Sequence, residues 1–225
     1  MTKTLFEYPK QSEFNRIVAK EKIYQYAKPN TAIKNRFKEQ VERIKWQYKL
    51  SPETTNLPAR EGIKEIQVFS ITLRDTLVAP QLHESILRTI DKAINFPIIF
   101  QLNYKDQIKT SIAYKRPSEH DKQHWVTDSY FESSWQAKGN ERIKLPVAVN
   151  LARLYEQILR SHLSVEARED ETLKDQIERV NKIRAKETEL GKLQSRMNRE
   201  KQFNRKVELN RIFNELQTEI EVIKA

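Results

Sequence analysis

The chain has no cysteine and only 3 glycines in 225 residues. Without cysteine there is no disulfide framework, no thiolate metal site and no cysteine nucleophile. With glycine confined to Gly62, Gly139 and Gly191, most glycine-rich phosphate loops are excluded. No Walker lysine loop or dinucleotide fingerprint occurs, and no Ser or Cys elbow. Kinase and helicase motor chemistry has nowhere to reside. Long apolar runs are missing too. The N-terminus, MTKTLFEYPKQSEF, lacks the apolar core of a signal peptide, and no stretch reaches membrane-spanning length. A cytoplasmic protein away from membranes is the expectation.

What is present is charge. Charged residues make up 32% and hydrophobic ones 38%, a balance that points to a long solvated helical part beside a compact core. The formal net charge of +10 favours an anionic partner, with nucleic acid the commonest candidate. The charge is uneven: residues 1–65 hold 14 Lys+Arg against 8 Asp+Glu, and residues 184–206 hold 8 against 3.

The densest apolar pattern runs from Asn95 to Arg116, NFPIIFQLNYKDQIKTSIAYKR. Ile98, Phe100, Leu102 and Tyr104 alternate, Lys105-Asp106-Gln107 makes a turn, and Ile112 and Tyr114 follow on a second strand. Before it, Glu65 to Leu73 carries two alternating phases, which predicts either a bulge or a strand buried on both faces. A helix is expected from Pro80 to Ile94 and a third strand from His124 to Trp135. The sum is an α+β class, a small mixed or antiparallel sheet with a β-α-β-β-β core.

Upstream, Phe14, Ile17, Val18 and Tyr24 suggest a short helix. Ile33, Phe37, Val41, Ile44 and Tyr48 step by three and four, predicting a helix capped at Asn30 or Thr31 and stopped at Ser51-Pro52. Residues 146–225 read as helical, a region separate from the α+β part in residues 1–145. From Pro146 one stripe includes Val147, Leu151, Leu154, Ile158 and His162. A broadly heptad seam then runs through Leu173, Ile177, Val180, Leu190 and Met197, is interrupted at NREKQFNRK, and resumes at Leu209. A coiled-coil stalk and a helical hairpin turning near Asn198 to Asn204 both satisfy this pattern.

Candidate chemistry is sparse. His120 and His124 share a polar segment with Glu119, Asp121 and Asp128, but a zinc site wants ligands on rigid elements. A solvated loop is the plainer reading, and no metal or cofactor is expected. A restriction-type nuclease needs two carboxylates and a lysine on adjacent strands. Gln101-Leu102-Asn103 and Ala113-Tyr114-Lys115 lack the second acid, Asp106 falls in a turn, and Asp128 and Glu132 are four residues apart. A cryptic metal-dependent nuclease using Asp128, Glu132 and His124 therefore stays only as an alternative. Cations beside aromatics fit a nucleic-acid surface better. Lys115 and Arg116 with Tyr114, Trp125 and Trp135 as stacking rings form one set. Arg196, Arg199, Lys201, Arg205 and Lys206 form another.

Three stretches carry a family resemblance: WQYKLSPETTNLP (Trp46 to Pro58), EIQVF (Glu65 to Phe69) with AYKR (Ala113 to Arg116), and EKQFNRKVELN (Glu200 to Asn210). Together they resemble the bacterial family classified as domain of unknown function 4391. The resemblance implies an accessory protein of an anti-phage or restriction-modification-like system, encoded beside a helicase or DNA methyltransferase that would be its partner. It supplies no active site. Direct nucleic-acid binding, and self-association through the C-terminal helices, stay open beside that reading.

Overall fold

The computed structural model describes residues 4–76, 80–118 and 125–225. The chain divides into two compact units, Met1–His162 and Leu163–Ala225. The helix following Pro146 thus goes with the sheet, whereas the sequence pattern groups it with the C-terminal region.

The first unit is built on one mixed sheet. Its strands are β2 (Glu13–Ile17), β3 (Val41–Leu50), β4 (Ile66–Leu73), β5 (Ile98–Tyr104), β6 (Gln107–Pro117) and β7 (Trp125–Glu132), hydrogen-bonded in that order, with β8 (Gln136–Ala137) also on β6. Only β4–β5 is parallel, joined through α4 (Glu84–Ala93); every other pair is antiparallel. The expected β-α-β-β-β core is β4-α4-β5-β6-β7. A separate two-stranded parallel sheet pairs β1 (Phe6–Glu7) with β9 (Ile143–Lys144).

Helices α1 (Lys20–Ala27), α2 (Thr31–Gln40) and α4 cover one sheet face. Ile23, Phe37, Ile86 and Ile90 from these helices pack on Ile44, Phe69, Ile71, Phe100 and Leu102 from the strands. In β4, Val68 is as fully buried as Phe69 and Ile71, so this strand is buried on both faces. A one-turn helix, α3 (Pro52–Thr55), opens with a capping box at Ser51. At Gly62, φ is +78° and a Cβ would come within 2.9 Å of the Pro117 ring, so only glycine fits.

The structure corrects the reading of residues 33–48. The helix capped by Asn30, whose Oδ1 accepts from Ile33 N at 3.0 Å, ends at Gln40, and β3 follows directly. Phe37, Val41 and Ile44 are all buried, as a helical face would require. The register of β3 on β4 shifts between Val41 and Arg43, however, so two residues three apart reach the same core. A bulge imitated helical spacing. Likewise Phe14 and Ile17 lie on a strand rather than a helix, and α4 starts four residues beyond Pro80 with His83 as its cap.

In the second unit, α6 (Leu173–Arg199) and α7 (Phe203–Lys224) form a helical hairpin. The interruption in the seam is its turn. Ile183, Leu193, Leu216 and Ile220 make its apolar core. The chain reverses over the three residues between the helices, and across the hairpin Lys186 pairs with Glu219, and Lys224 with Glu187 at 3.1 Å. Arg179 holds Glu171 with two nitrogens, and this charge-assisted pairing keeps the Glu171 carboxyl down at about 2.

Candidate functional site

Lys115 does not reach the surface. It is 1% exposed, and its ammonium donates to Asp91 O at 2.7 Å, to Asp91 Oδ1 at 3.1 Å and to Ile94 O. A lysine ammonium has three donors. All three are used: two go to carbonyls at the C-terminus of α4, where the helix dipole favours a cation, and the third holds the Asp91 carboxylate. The Tyr130 hydroxyl donates to the other Asp91 oxygen. The hydroxyl of Tyr155, on α5 (Leu151–Arg160), donates to Ala113 O and accepts from Lys115 N at 3.0 Å. Burial pushes the Asp91 carboxyl up and the Lys115 ammonium down, and each partner's charge opposes the shift in the other. The assignment of Lys115 to a phosphate contact is thus corrected: its donors are consumed by the fold.

The rings expected beside it do not converge either. Arg116 sits 5.7 Å from the Tyr114 ring and pairs with Asp128 at 3.9 Å. Trp125, opposite Pro117, lines a 620 Å³ cleft with Lys64, Asn95 and Phe96. Trp135 lies towards the other end of β6, under the Lys109 ammonium. Glu132 is paired with that same lysine, so both acids of the nuclease alternative have cationic neighbours. Among the described residues, no group of three or more His, Cys, Asp or Glu comes together as a metal site would require. His120 and His124 lie outside the described residues.

His162 is a satisfied core residue. Nδ1 faces Ile158 O at 2.8 Å and Nε2 faces the Thr110 hydroxyl at 2.7 Å, so Nδ1–H donates and Nε2 accepts. Burial pushes its pKa down to about 4.

Arg196, Arg199, Lys201, Arg205 and Lys206 are all exposed and gather about the hairpin turn. Glu200 sits among them, accepting from the backbone N–H of Lys201 and Gln202. Phe203 and Val207 are exposed beside them, at 78% and 53%.

A more complete constellation lies at the edge of the large sheet opposite β7. Strand β2 is the edge of the large sheet, and Asn15, at φ 52°, bulges it between Glu13 and Arg16. Asparagine tolerates this left-handed geometry better than most residues. The bulge sets Phe14 against Trp46 of β3, ring centroids 4.2 Å apart, with the Arg16 guanidinium 4.5 Å from the Phe14 ring. Trp46 is held from behind by Phe69 and by its indole N–H, which donates to Tyr48 O at 2.9 Å. These rings border a groove of 330 Å³ between β2, α1 and the end of α4. Its size is at the low end of the roughly 300–1,000 Å³ typical of small-ligand sites. Lys22 and the 70%-exposed Tyr26 of α1 stand at its rim, and Phe69, Ala93 and Ile94 line it. Gln67 also lines it: this residue is 3% exposed, an N–H of its amide donates to Glu65, and its Oε1 has no partner among the described residues.

Two signals for this site were in the sequence. The N-terminal third is the most basic, and Phe14 and Arg16 alternate as strand residues do. The bulge at Asn15 and the helix-like spacing of β3 hid the rest. No helix among the described residues is long and apolar enough to cross a membrane. No curated protein and no solved structure matches the chain. The model of the Domain of unknown function (DUF4391) matches residues 6–220, nearly the whole length, and the chain belongs to that family.

Proposed function

We propose that the protein is a non-enzymatic accessory subunit of a bacterial anti-phage or restriction-modification-like system in the cytoplasm, and that it contacts nucleic acid directly. The observation that carries the nucleic-acid part is the edge-strand groove, where Phe14 and Trp46 offer ring surface beside Arg16 and Lys22. Aromatic rings next to cations hold bases by stacking and phosphates by charge, largely without regard to sequence. The net charge of +10 would draw a polyanion to the protein.

The partner contact is assigned to the hairpin turn. Exposed Phe203 and Val207 beside five cations combine apolar anchors with charge, as protein-binding surfaces do. A helicase or DNA methyltransferase of the same locus is the expected partner.

Fluorescence anisotropy with a short labelled single strand tests the groove. Binding is expected at low salt, with log K falling linearly against log salt. A strand that fails to bind at low salt rules the reading out. Co-elution with neighbouring gene products, abolished in Phe203→Ala/Val207→Ala, tests the turn.

A further inference from the structure

The chemistry of Gln67 goes beyond general nucleic-acid contact. One N–H of its Nε2 donates to Glu65, a carboxylate that can only accept and that is itself paired with Lys49 at 3.2 Å. That bond fixes which end of the amide is which, so the unpartnered atom is the carbonyl oxygen. A buried acceptor without a donor is costly and rare in a folded protein. Here it belongs to a residue lining a groove bordered by Phe14 and Trp46, with Arg16 and Lys22 beside it.

We infer that the groove receives one unpaired base carrying an exocyclic amine, adenine or cytosine in preference to thymine, whose amine donates to Gln67 Oε1. The inference rests on the nucleic-acid reading above and narrows it. A base held in a duplex has its pairing edge occupied and its faces stacked, so the groove selects single strands. Phe14 and Trp46 supply the stacking surface, and Arg16 and Lys22 lie where flanking phosphates would pass. Cytosine N4 and adenine N6 are donors, whereas thymine presents the O4 carbonyl at the same place. Turning O4 towards Gln67 sets acceptor against acceptor, beside the Glu65 carboxylate. Thymine's one pairing-edge donor, N3–H, is recessed between O2 and O4, so it reaches the buried Oε1 less readily than a projecting amine does.

The test compares labelled oligo-dC, oligo-dT, an abasic strand of the same length and a duplex, by anisotropy at one low salt concentration. Wild-type protein is expected to bind oligo-dC about tenfold more tightly than oligo-dT, the scale of one good hydrogen bond to a buried partner. The abasic strand and the duplex should be weaker than both. Gln67→Leu should erase the dC/dT difference while keeping binding at the oligo-dT level. Phe14→Ala, on the edge strand and outside the buried core, should weaken dC and dT alike and leave their ratio intact. If oligo-dC and oligo-dT bind wild-type protein equally, no base amine reaches Gln67 Oε1 and the inference falls, although the nucleic-acid reading survives. If no strand binds, that reading itself falls. The wild-type dC/dT ratio decides the matter even if Gln67→Leu fails to fold.

Discussion

The cations of β6 and those of β2 stand beside aromatic rings in the same sheet, yet they do opposite work. Lys115 lies inside, its three donors spent on Asp91 and the end of α4. Arg16, on the edge strand, is exposed over Phe14. Lys20 falls between the two cases: from the start of α1 it donates to Phe37 O and Val41 O and closes the end of α2. Lys20 and Lys115 therefore cap neighbouring helices and tie them to other elements, while Arg16 and Lys22 cap no helix among the described residues. A basic residue beside an aromatic in sequence says little about function. What matters is whether the helix ends nearby have already claimed its protons.

The largest expected effect breaks the buried side of this comparison. Lys115→Met should destabilise the protein by about 3–5 kcal/mol, because it strands the Asp91 carboxylate and two helix carbonyls in the interior. Denaturant unfolding measures this. Replacing both members, Lys115→Met with Asp91→Asn, should recover part of the stability, since the uncompensated charge is then gone. A Lys115→Met protein as stable as wild type would show that the ammonium is not the cap described here.

His162 extends the same contrast to pH. Its folded pKa, about 4, lies below the ordinary histidine value of about 6.5, so the native state resists the proton that the unfolded chain accepts. Its contribution is full above pH 6.5 and falls away progressively as the pH drops towards 4. The total is on the order of 3 kcal/mol. Between pH 6.5 and 5, before most carboxylates titrate, unfolding free energy should fall with pH in wild type. In His162→Gln that slope should flatten.

How far these features can be read from sequence depends on bulges more than on composition. The β4-α4-β5-β6-β7 core is legible because alternation in Ile98–Tyr104 and the turn at Lys105-Asp106 are unbroken. The helical hairpin is legible as one of two options, and its turn falls where NREKQFNRK interrupts the seam. Strand β3 is not legible. Val41 and Ile44, three apart, face one core only because the register slips beside Arg43. The groove is hidden for a related reason, since Asn15 bulges a five-residue strand whose neighbour has the spacing of a helix. Buried Lys115 cannot be foreseen from AYKR, because the acceptors that claim it, on Asp91 and Ile94 at the end of α4, lie 24 and 21 residues earlier.

On the exposed side, Arg16→Ala/Lys22→Ala should change stability by no more than about 0.5 kcal/mol, as surface changes generally do. It should weaken single-strand binding about tenfold and reduce the salt slope by about 1.4, which is about 0.7 for each phosphate left unneutralised. Fold and function would then separate cleanly between Lys115 and Arg16. If instead the double variant unfolds easily while binding normally, the edge cations belong to the fold as Lys115 does.

The smallest expected effect concerns the hairpin turn, and it sharpens the comparison by adding a third kind of cation. Arg199, Arg205 and Lys206 are exposed, and their apolar neighbours at the turn, Phe203 and Val207, are exposed as well. These cations face solvent like Arg16, but among the described residues no pair of contacting rings stands beside them as Phe14 and Trp46 stand beside Arg16. With the single ring of Phe203 given to the partner contact, they offer a strand mainly diffuse attraction, which salt screens within about 8 Å at physiological ionic strength. Arg199→Ala/Arg205→Ala should therefore leave unfolding free energy unchanged and weaken strand binding no more than about twofold at low salt, with no change in the dC/dT ratio. A weakening as large as that of the Arg16/Lys22 variant would mean that strand and partner meet at the turn, and that the two exposed cation sets act on one ligand.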